Sequence, residues 1–364
     1  MAADLTCPDC DVGYEAGPDE PWRCSCGHAL EFTDRPHPTG NPLPLSRLDT
    51  SDGLWTFFEF IPIEKRVTLG EGFTPLVDAP AWDAQFKLEY VFPSGSFKDR
   101  GATTLLSRAV ELGVETVIED SSGNAGAAIA MYAARAGLDA EIYVPADVKQ
   151  SKLMAIQRAG ARPVRVEGSR EDVTTACIDA VEAGEGWYAS HAWNPAFYAG
   201  TMTFAFEVAA QRDWTVPDAV VLPIGHGTLF LGAYRGFSLL YEAGIVDRVP
   251  RLLGAQAAGY APIVAATGGD TGDERAEIAD GIRIAEPARG TQILEALSAT
   301  DGDAIALGDD PVETELDRLH RNGFYVEPTC AVAPAALRRY RERGAIDEDE
   351  DVVVPLTGSG LKTL

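Results

Sequence analysis

The sequence predicts an α/β protein of mostly parallel sheets with helices on both faces, and three features lead there. From residue 86 onward, short apolar runs suited to buried strands alternate with amphipathic helical stretches. The connections between them are short and carry glycine, as strand-to-helix turns do. At 364 residues the chain is also long enough for two domains, each with its own core. Its 46% hydrophobic and 24% charged residues fit an ordered globular protein.

The expected elements follow in order. Gln85 to Val91 reads as a strand ended by Pro93 and Gly95. Ser96 is placed to cap a helix beginning around Phe97, because Ala102 to Leu112 continues with good helix formers in helical apolar spacing. Thr116 to Asp120 is a strand before helix Ala125 to Ala136, Ala140 to Val144 precedes helix Lys149 to Ala159, and Pro163 to Val166 precedes helix Glu171 to Ala183. Ala219 to Pro223 leads into a helix from about Thr228. Leu252 to Ala255 and Val352 to Pro355 are further short strands. No internal repeat is visible. In such folds ligands bind beyond the C-terminal ends of strands, so the turns after strands are where chemistry is expected.

Ahead of this alternation lies a different kind of sequence. Cys7-Pro-Asp-Cys10 is followed, after thirteen residues, by Cys24-Ser-Cys26-Gly-His28. Four thiolates on two tight turns suit a structural zinc ribbon, and zinc would stabilise a segment too small for a core of its own. The one-residue spacing of the second pair leaves His28 open as a ligand in place of a cysteine; a redox pair or an unliganded remnant is the alternative. Residues 35 to 44 form a proline-rich linker. Leu69-Gly-Glu-Gly-Phe-Thr-Pro-Leu76 then supplies turn residues leading into a short strand.

Composition excludes some functions. A formal net charge of −26, with acids spread along the chain, repels nucleic acid and anionic membrane surfaces. Acid excess with six lysines against 24 arginines predicts adaptation to a high-salt cytosol, where screening removes self-repulsion; stability unchanged or lowered in molar salt would contradict this. Neither a signal peptide nor a spanning apolar run is evident, and the expected location is the cytoplasm. Six cysteines, four crowded before residue 27, argue against a disulfide framework.

Lys98 is the residue around which the chemistry is expected. It stands in the first turn of a helix that follows a strand, beside Ser94, Gly95 and Ser96. A helix N-terminus and partial burial both favour the neutral amine, and a neutral lysine amine can form a Schiff base. An arbitrary lysine in a polar turn is far more often a surface residue. Three further turns have unusual composition. Ser121-Ser-Gly-Asn-Ala-Gly126 opens an alanine-rich helix and suits a carboxylate at backbone N–H groups, with Asn124 adding an amide; the alternative is a tight connection whose glycines only permit sharp angles. Pro223-Ile-Gly-His-Gly-Thr-Leu-Phe-Leu-Gly232 lets successive amides of Gly225 and Gly227 point inward as a phosphate nest, with the Thr228 hydroxyl beside them. Its glycine spacing does not fit a dinucleotide fingerprint, and it lacks the lysine of a P-loop. His226 has no role assigned by spacing, and a loop residue pointing to solvent is the alternative reading of it. Pro355-Leu-Thr-Gly-Ser-Gly-Leu-Lys362 follows the last strand.

Ser96-Phe-Lys98-Asp-Arg-Gly101 closely resembles the cofactor-lysine segment of the fold-type II pyridoxal phosphate enzymes, and of threonine synthases in particular. Residues 69 to 76 are similar to the Gly-Glu-Gly-x-Thr-Pro-Leu segment of threonine synthases. Residues 355 to 362 resemble Thr-Gly-His-Gly-Leu-Lys with Ser359 in place of histidine, and Glu327-Pro-Thr-Cys-Ala331 resembles a Glu-Pro segment of the same group. The resemblance implies the tryptophan synthase β-subunit-like fold, pyridoxal 5'-phosphate on Lys98, and a cofactor site that includes Asn124 at the ring hydroxyl, Gly225, His226, Gly227, Thr228 and Leu229 around the phosphate, and Thr357 at the pyridine nitrogen. A hydroxyl there makes the ring a weaker electron sink than an aspartate would, favouring elimination or replacement. Ser121, Ser122, Gly123, Asn124 and Ala125 are implied to take the substrate carboxylate. Residues 1–40 would be ribbon and linker with Cys7, Cys10, Cys24 and Cys26 as metal ligands, 41–110 with 196–364 the large cofactor-binding domain, and 111–195 a small mobile domain. A homodimer is also implied.

The implied reaction converts O-phosphohomoserine and water to threonine and phosphate, with the Lys98 amine moving protons between the α and β carbons. One segment departs from the pattern. Ser190-His-Ala-Trp-Asn-Pro-Ala-Phe-Tyr-Ala-Gly-Thr-Met-Thr203 resembles Asn-Pro-x-Arg-x-x-Gly-Gln-Lys-Thr, but Phe197 and Met202 take the arginine and lysine positions. Asn194, Thr201 and Thr203 remain as neutral donors for a substrate anion, with Lys149, Lys152 and Arg158 on a neighbouring helix as further candidates. The loss equally suits a serine or threonine dehydratase, or a β-replacement enzyme such as a cysteine or cysteate synthase. A non-catalytic ligand sensor is the reading from another class, and retention of Lys98 argues against it.

Overall fold

The structure, a computed structural model, describes residues 2–38, 42–272 and 275–363. Two compact units divide the chain. The first comprises Met1–Pro38, Thr50–Gly72 and Lys98–Thr201, and the second Thr39–Asp49, Phe73–Phe97 and Met202–Leu364. The first unit contains all of residues 111–195 and adds to them the cysteine-rich segment and the helix that opens at Lys98.

In the second unit six strands form one sheet in the order Asp303–Leu307, Arg251–Ala257, Ala219–Pro223, Val352–Pro355, Ala84–Lys87, Leu76–Ala79. Every neighbouring pair is parallel except the last, where Leu76–Ala79 runs antiparallel to Ala84–Lys87 at the sheet edge. Ala219–Pro223 and Val352–Pro355 are buried at every position, the outcome for central strands covered on both faces, and hence their unbroken apolar runs. The strand expected to continue to Val91 stops at Lys87, and Glu89–Val91 is a 3-10 turn. Buried polar groups mark this end. Lys87 Nζ donates to Thr74 O at 2.5 Å, Glu207 Oε2 at 2.7 Å and Gln211 Oε1 at 2.9 Å, while Glu89 Oε1 accepts from the Thr74 hydroxyl at 2.6 Å. Lys87 and Glu89 face inward on one side, and between them Leu88, at φ −81° and ψ 69°, leaves the extended conformation and turns the chain.

In the first unit a four-stranded parallel sheet runs Arg162–Val166, Asp139–Pro145, Thr116–Glu119, Trp187–Tyr188. Helices Asn124–Ala136, Gln150–Arg158 and Arg170–Glu182 connect its strands. Local sequence sets their ends. Ser169 and Asp172 close a capping box at the start of Arg170–Glu182, and Gly137, at φ 73°, terminates Asn124–Ala136 in the left-handed conformation. The cysteine-rich segment makes a separate three-stranded antiparallel sheet from Gly13–Tyr14, Leu5–Thr6 and Glu31–Phe32.

Helix Lys98–Leu112 is buried from Asp99 to Ala109, although its sequence is polar as often as apolar. Such a helix must satisfy its polar groups internally. Thr103 Oγ1 donates to Val67 O at 2.7 Å, Ser107 Oγ accepts from Val67 N at 3.0 Å, and Thr104 Oγ1 donates to Ala196 O at 2.7 Å. The fully buried Arg108 reaches the cysteine-rich segment: Nε donates to Glu20 Oε1 at 2.9 Å, Nη2 to the second oxygen of that carboxylate and, at 2.9 Å, to Ala3 O. Its guanidinium lies 4.9 Å from the centre of the Phe32 ring. The helix also crosses Pro195–Thr201 at close range. A Cβ on Gly101 would stand 2.3 Å from the Phe197 ring, and one on Gly200 1.8 Å from the Arg100 carbonyl oxygen, so both positions require glycine.

Candidate active site

Lys98 is the first residue of its helix, one position after the expected start. Ser96 is not seen as a cap; it is buried and forms an isolated bridge with Gly358. The Lys98 ammonium lies over the Phe197 ring, 5.6 Å from its centroid, and Phe197 is fully buried against Gly101. The position expected to carry an arginine thus supplies an aromatic face beside the lysine.

The Ser121–Asn124 turn follows strand Thr116–Glu119, with Gly123 as N-cap of helix Asn124–Ala136. Gly123 N donates to Ser121 Oγ at 3.3 Å. A Cβ on Gly126 would lie 1.7 Å from Ser121 O, so glycine there lets the turn fold onto its own helix. Ser121 and Ala125 are buried, Ser122, Gly123 and Asn124 half-buried. The backbone N–H groups that open any helix have no intrahelical acceptor, which makes this turn chemically suited to a carboxylate. Asn194 Oδ1 accepts from Ala196 N at 2.9 Å and starts helix Pro195–Thr201, leaving its amide N–H groups as the donors it can offer a ligand. Thr201 is buried, and its hydroxyl donates to Tyr198 O at 3.3 Å.

Sequence reasoning missed a buried polar cluster at the end of strand Thr116–Glu119. His191 Nδ1 is 2.6 Å from Glu119 Oε1, and the His191 backbone N–H donates to Glu119 Oε2 at 3.3 Å. Burial pushes the Glu119 carboxyl well above its ordinary range, and neighbouring Asp120 adds to this; the His191 N–H, Lys98 and Arg170 pull it back. Asp120 accepts from the Tyr188 hydroxyl at 2.9 Å and from Thr174 at 2.6 Å. A second network joins Glu71 to both helices. Glu71 accepts from Trp55 Nε1 at 3.2 Å, Leu69 N at 2.7 Å and the Tyr132 hydroxyl at 3.0 Å, and that hydroxyl is 3.3 Å from Asp99 Oδ2. The only sequence signal for either cluster was an acid at a strand end or within the Gly-Glu-Gly turn, too common to single out.

In the second unit, Pro223 leads through Ile224–Gly227 into helix Thr228–Glu242. Gly227 is the N-cap with φ 74°, and a Cβ there would lie 2.4 Å from Ile293. A Cβ on Gly225 would be 3.2 Å from the Ile282 backbone. Gly227 therefore requires glycine and Gly225 has little room for more, and the turn is suited to a phosphate at the helix start. Thr228 and Leu229 are buried. His226 is half-buried, and its Nδ1 accepts from the Ala288 amide at 3.5 Å. Thr357 is held at both backbone atoms, its N donating to Cys330 Sγ at 3.1 Å and its O accepting from Phe97 N at 3.1 Å. Burial pushes the Cys330 thiol up to about 12, so it meets that contact as a thiol. A Cβ on Gly358 would strike the Glu327 carboxylate, which is why this turn and the Glu327-Pro328 segment pack together.

The four N-terminal cysteines converge. Their Sγ atoms all lie within 4.8 Å of one another, with Cys7–Cys26 at 3.5 Å and Cys10–Cys24 at 3.4 Å, far beyond the ~2.05 Å of a disulfide. Tetrahedral zinc with Zn–S bonds of about 2.3 Å spaces its sulfurs by roughly 3.8 Å, so the four thiols fit the ion. The one-residue spacing of the second pair is accommodated by Gly27 at φ 93°, and His28 Nδ1 lies 3.4 Å from Cys26 Sγ. Trp22, in the loop between the pairs, packs edge-on against Tyr188 and Trp193 with centroids 5.6 and 5.1 Å apart. Among the described residues no helix is long and apolar enough to cross a membrane.

Comparison with known proteins identifies a family. The family described as "Pyridoxal-phosphate dependent enzyme" matches residues 67–358. The threonine synthase of Methanocaldococcus jannaschii is 33% identical over 94% of this chain and 88% of its own length, and that of Methanosarcina acetivorans 36% identical over 85% and 80%. Among solved structures, maize serine racemase superposes with a TM-score of 0.68 at 21% identity, covering 79% of this chain and 88% of its own, and shows the shared fold. Threonine deaminase isoform 2 of Solanum lycopersicum gives a TM-score of 0.67 at 21% identity over 99% of this chain and 95% of its own. The chain therefore belongs to the pyridoxal-phosphate-dependent enzymes, among the relatives of the threonine synthases.

Proposed function

We propose that this protein is a pyridoxal phosphate-dependent lyase that converts O-phosphohomoserine and water to threonine and phosphate. The observation that carries the reading is Lys98 opening a buried helix in a chain whose relatives, at 33% and 36% identity over most of its length, are threonine synthases. When bound, the cofactor supplies an electron sink for charge developing at the α and β carbons of the substrate. The protein does the rest. Lys98 would hold the cofactor, and its amine, when free, would carry protons between the two carbons. Ser121 to Ala125 would orient the carboxylate through helix-start N–H groups, with Asn124 offering its amide to the ring hydroxyl. Gly225 to Leu229, His226 among them, would hold the cofactor phosphate, and Thr357 would offer its hydroxyl to the ring nitrogen.

The reading includes a structural zinc on Cys7, Cys10, Cys24 and Cys26, a homodimer, adaptation to high salt in a cytoplasmic setting, and residues 111–195 as the mobile domain. A dehydratase or β-replacement enzyme is the second reading, favoured by the burial of Phe197 and Met202 where cations are expected. The deciding experiment offers O-phosphohomoserine, serine, threonine and O-phosphoserine to the purified holoenzyme in high salt. Phosphate from the first without ammonia from the others supports the proposal; ammonia from serine or threonine with no phosphate from the first refutes it.

A further inference from the structure

With Phe197 and Met202 unable to pair with an anion, an ionisable donor would strengthen what Asn194, Thr201 and Thr203 can offer the phosphate that leaves the substrate. The first unit holds one that shares an aromatic neighbour with Lys98. His191 is 5% exposed, and its ring packs edge-on against Phe197 with centroids 6.0 Å apart, the same ring that lies 5.6 Å from Lys98 Nζ. The imidazole and the cofactor lysine thus share one aromatic neighbour. Two bonds to Glu119, at 2.6 Å from Nδ1 and 3.3 Å from the backbone N–H, fix the orientation of the ring.

The proton inventory of this pair decides what it can offer. Burial disfavours a lone Glu119 carboxylate, so the pair retains a second proton. That proton sits on an imidazolium facing a carboxylate, or on a carboxylic acid facing a neutral imidazole. In both arrangements Nε2 carries an N–H. The charged and titratable groups that act on the pair include Asp120 just past the strand, Tyr188 from the next strand, Lys98 and Arg170 from two helices, and the buried Cys177 thiol.

We propose that His191, held by Glu119, donates to the substrate phosphate and sets the specificity of this enzyme for a phosphorylated amino acid. The inference rests on the reaction proposed above and is tested separately from it. Inorganic phosphate is titrated into the holoenzyme, followed by coenzyme absorbance, for the wild type, His191→Asn and Glu119→Gln, each first checked for unchanged cofactor loading. Loss of His191 is expected to weaken phosphate binding about tenfold, the scale of one charge-assisted hydrogen bond. It is also expected to raise KM for O-phosphohomoserine more than it lowers kcat. The ratio of wild-type to His191→Asn affinity should fall as pH rises and the pair loses its proton; phosphate's own ionisation cancels in that ratio. Glu119→Gln, which keeps the imidazole but changes its partner, should alter the pH profile. Phosphate affinities within twofold in all three proteins, or a ratio independent of pH, would overturn the inference. Weakened phosphate binding in His191→Asn with no phosphate release from O-phosphohomoserine in the wild type would sustain the contact and remove the proposed reaction instead.

Discussion

Substituting Gly101 by alanine tests the packing that presents Lys98, because two effects of known sign oppose each other there. In a helix interior alanine is better than glycine by about 1 kcal/mol, so an unobstructed Gly101→Ala would stabilise the protein. The added Cβ would, however, stand 2.3 Å from a Phe197 ring that is fully buried, so the ring must move by more than an ångström with no open space to enter. Overpacking of this kind costs about 1–3 kcal/mol and outweighs the propensity gain in most of that range. The expected net effect is a loss of about 1 kcal/mol, seen as a fall of roughly 1–2 °C in the melting temperature of the holoenzyme. Because the displaced ring underlies the Lys98 ammonium, coenzyme absorbance should shift as well. Gly101→Ala combined with Phe197→Leu should recover stability relative to the single alanine variant, since the smaller side chain yields the volume. A single variant at least as stable as wild type, or a double variant showing no recovery, would refute the close crossing of these two helices.

Further outcomes follow from other contacts. Glu20→Gln removes one partner of the fully buried Arg108 and should cost about 3–5 kcal/mol, read by denaturant unfolding; a loss under 1 kcal/mol would mean the pair is not isolated from water as described. Stripping metal from the four cysteines with a chelator should loosen the Trp22 contacts with Tyr188 and Trp193, giving a change in tryptophan emission and earlier proteolysis before residue 40; unchanged emission and cleavage would argue against a metal there. Because the Glu119 carboxyl is raised on folding, the native state binds more protons than the unfolded one above the ordinary value of 4.5. Its contribution to stability should therefore decline as pH rises through that window, and Glu119→Gln should flatten the decline; parallel stability–pH curves for the two proteins would contradict the burial effect.

Much of the candidate site was legible because its chemistry is local. Ser121–Ala125, Gly225–Leu229 and Thr357 each stand on a turn directly after a strand, and Lys98 opens a helix after the Pro93 to Ser96 turn; composition marks such turns whatever their partners. Strand Ala219–Pro223 and helix Thr228–Glu242 were equally readable, being apolar and periodic over their whole length. What sequence did not reveal depends on distant partners. Lys87, the last residue of its strand, is buried with its ammonium satisfied by Glu207 and Gln211, more than a hundred residues away. Asp303–Leu307 went unseen because five residues rich in alanine carry little strand character until they pair with Arg251–Ala257. The His191–Glu119 pair joins residues 72 positions apart, and neither was unusual in its own segment.

The claim on which the rest depends is a covalent bond between Lys98 and the coenzyme. Borohydride reduction of the holoenzyme, followed by proteolysis and mass spectrometry, reads it directly. The account predicts a pyridoxyl adduct on the peptide containing Lys98 and on no other lysine peptide. Coenzyme retained by the protein with that peptide unmodified, or with the adduct on another lysine, would contradict it.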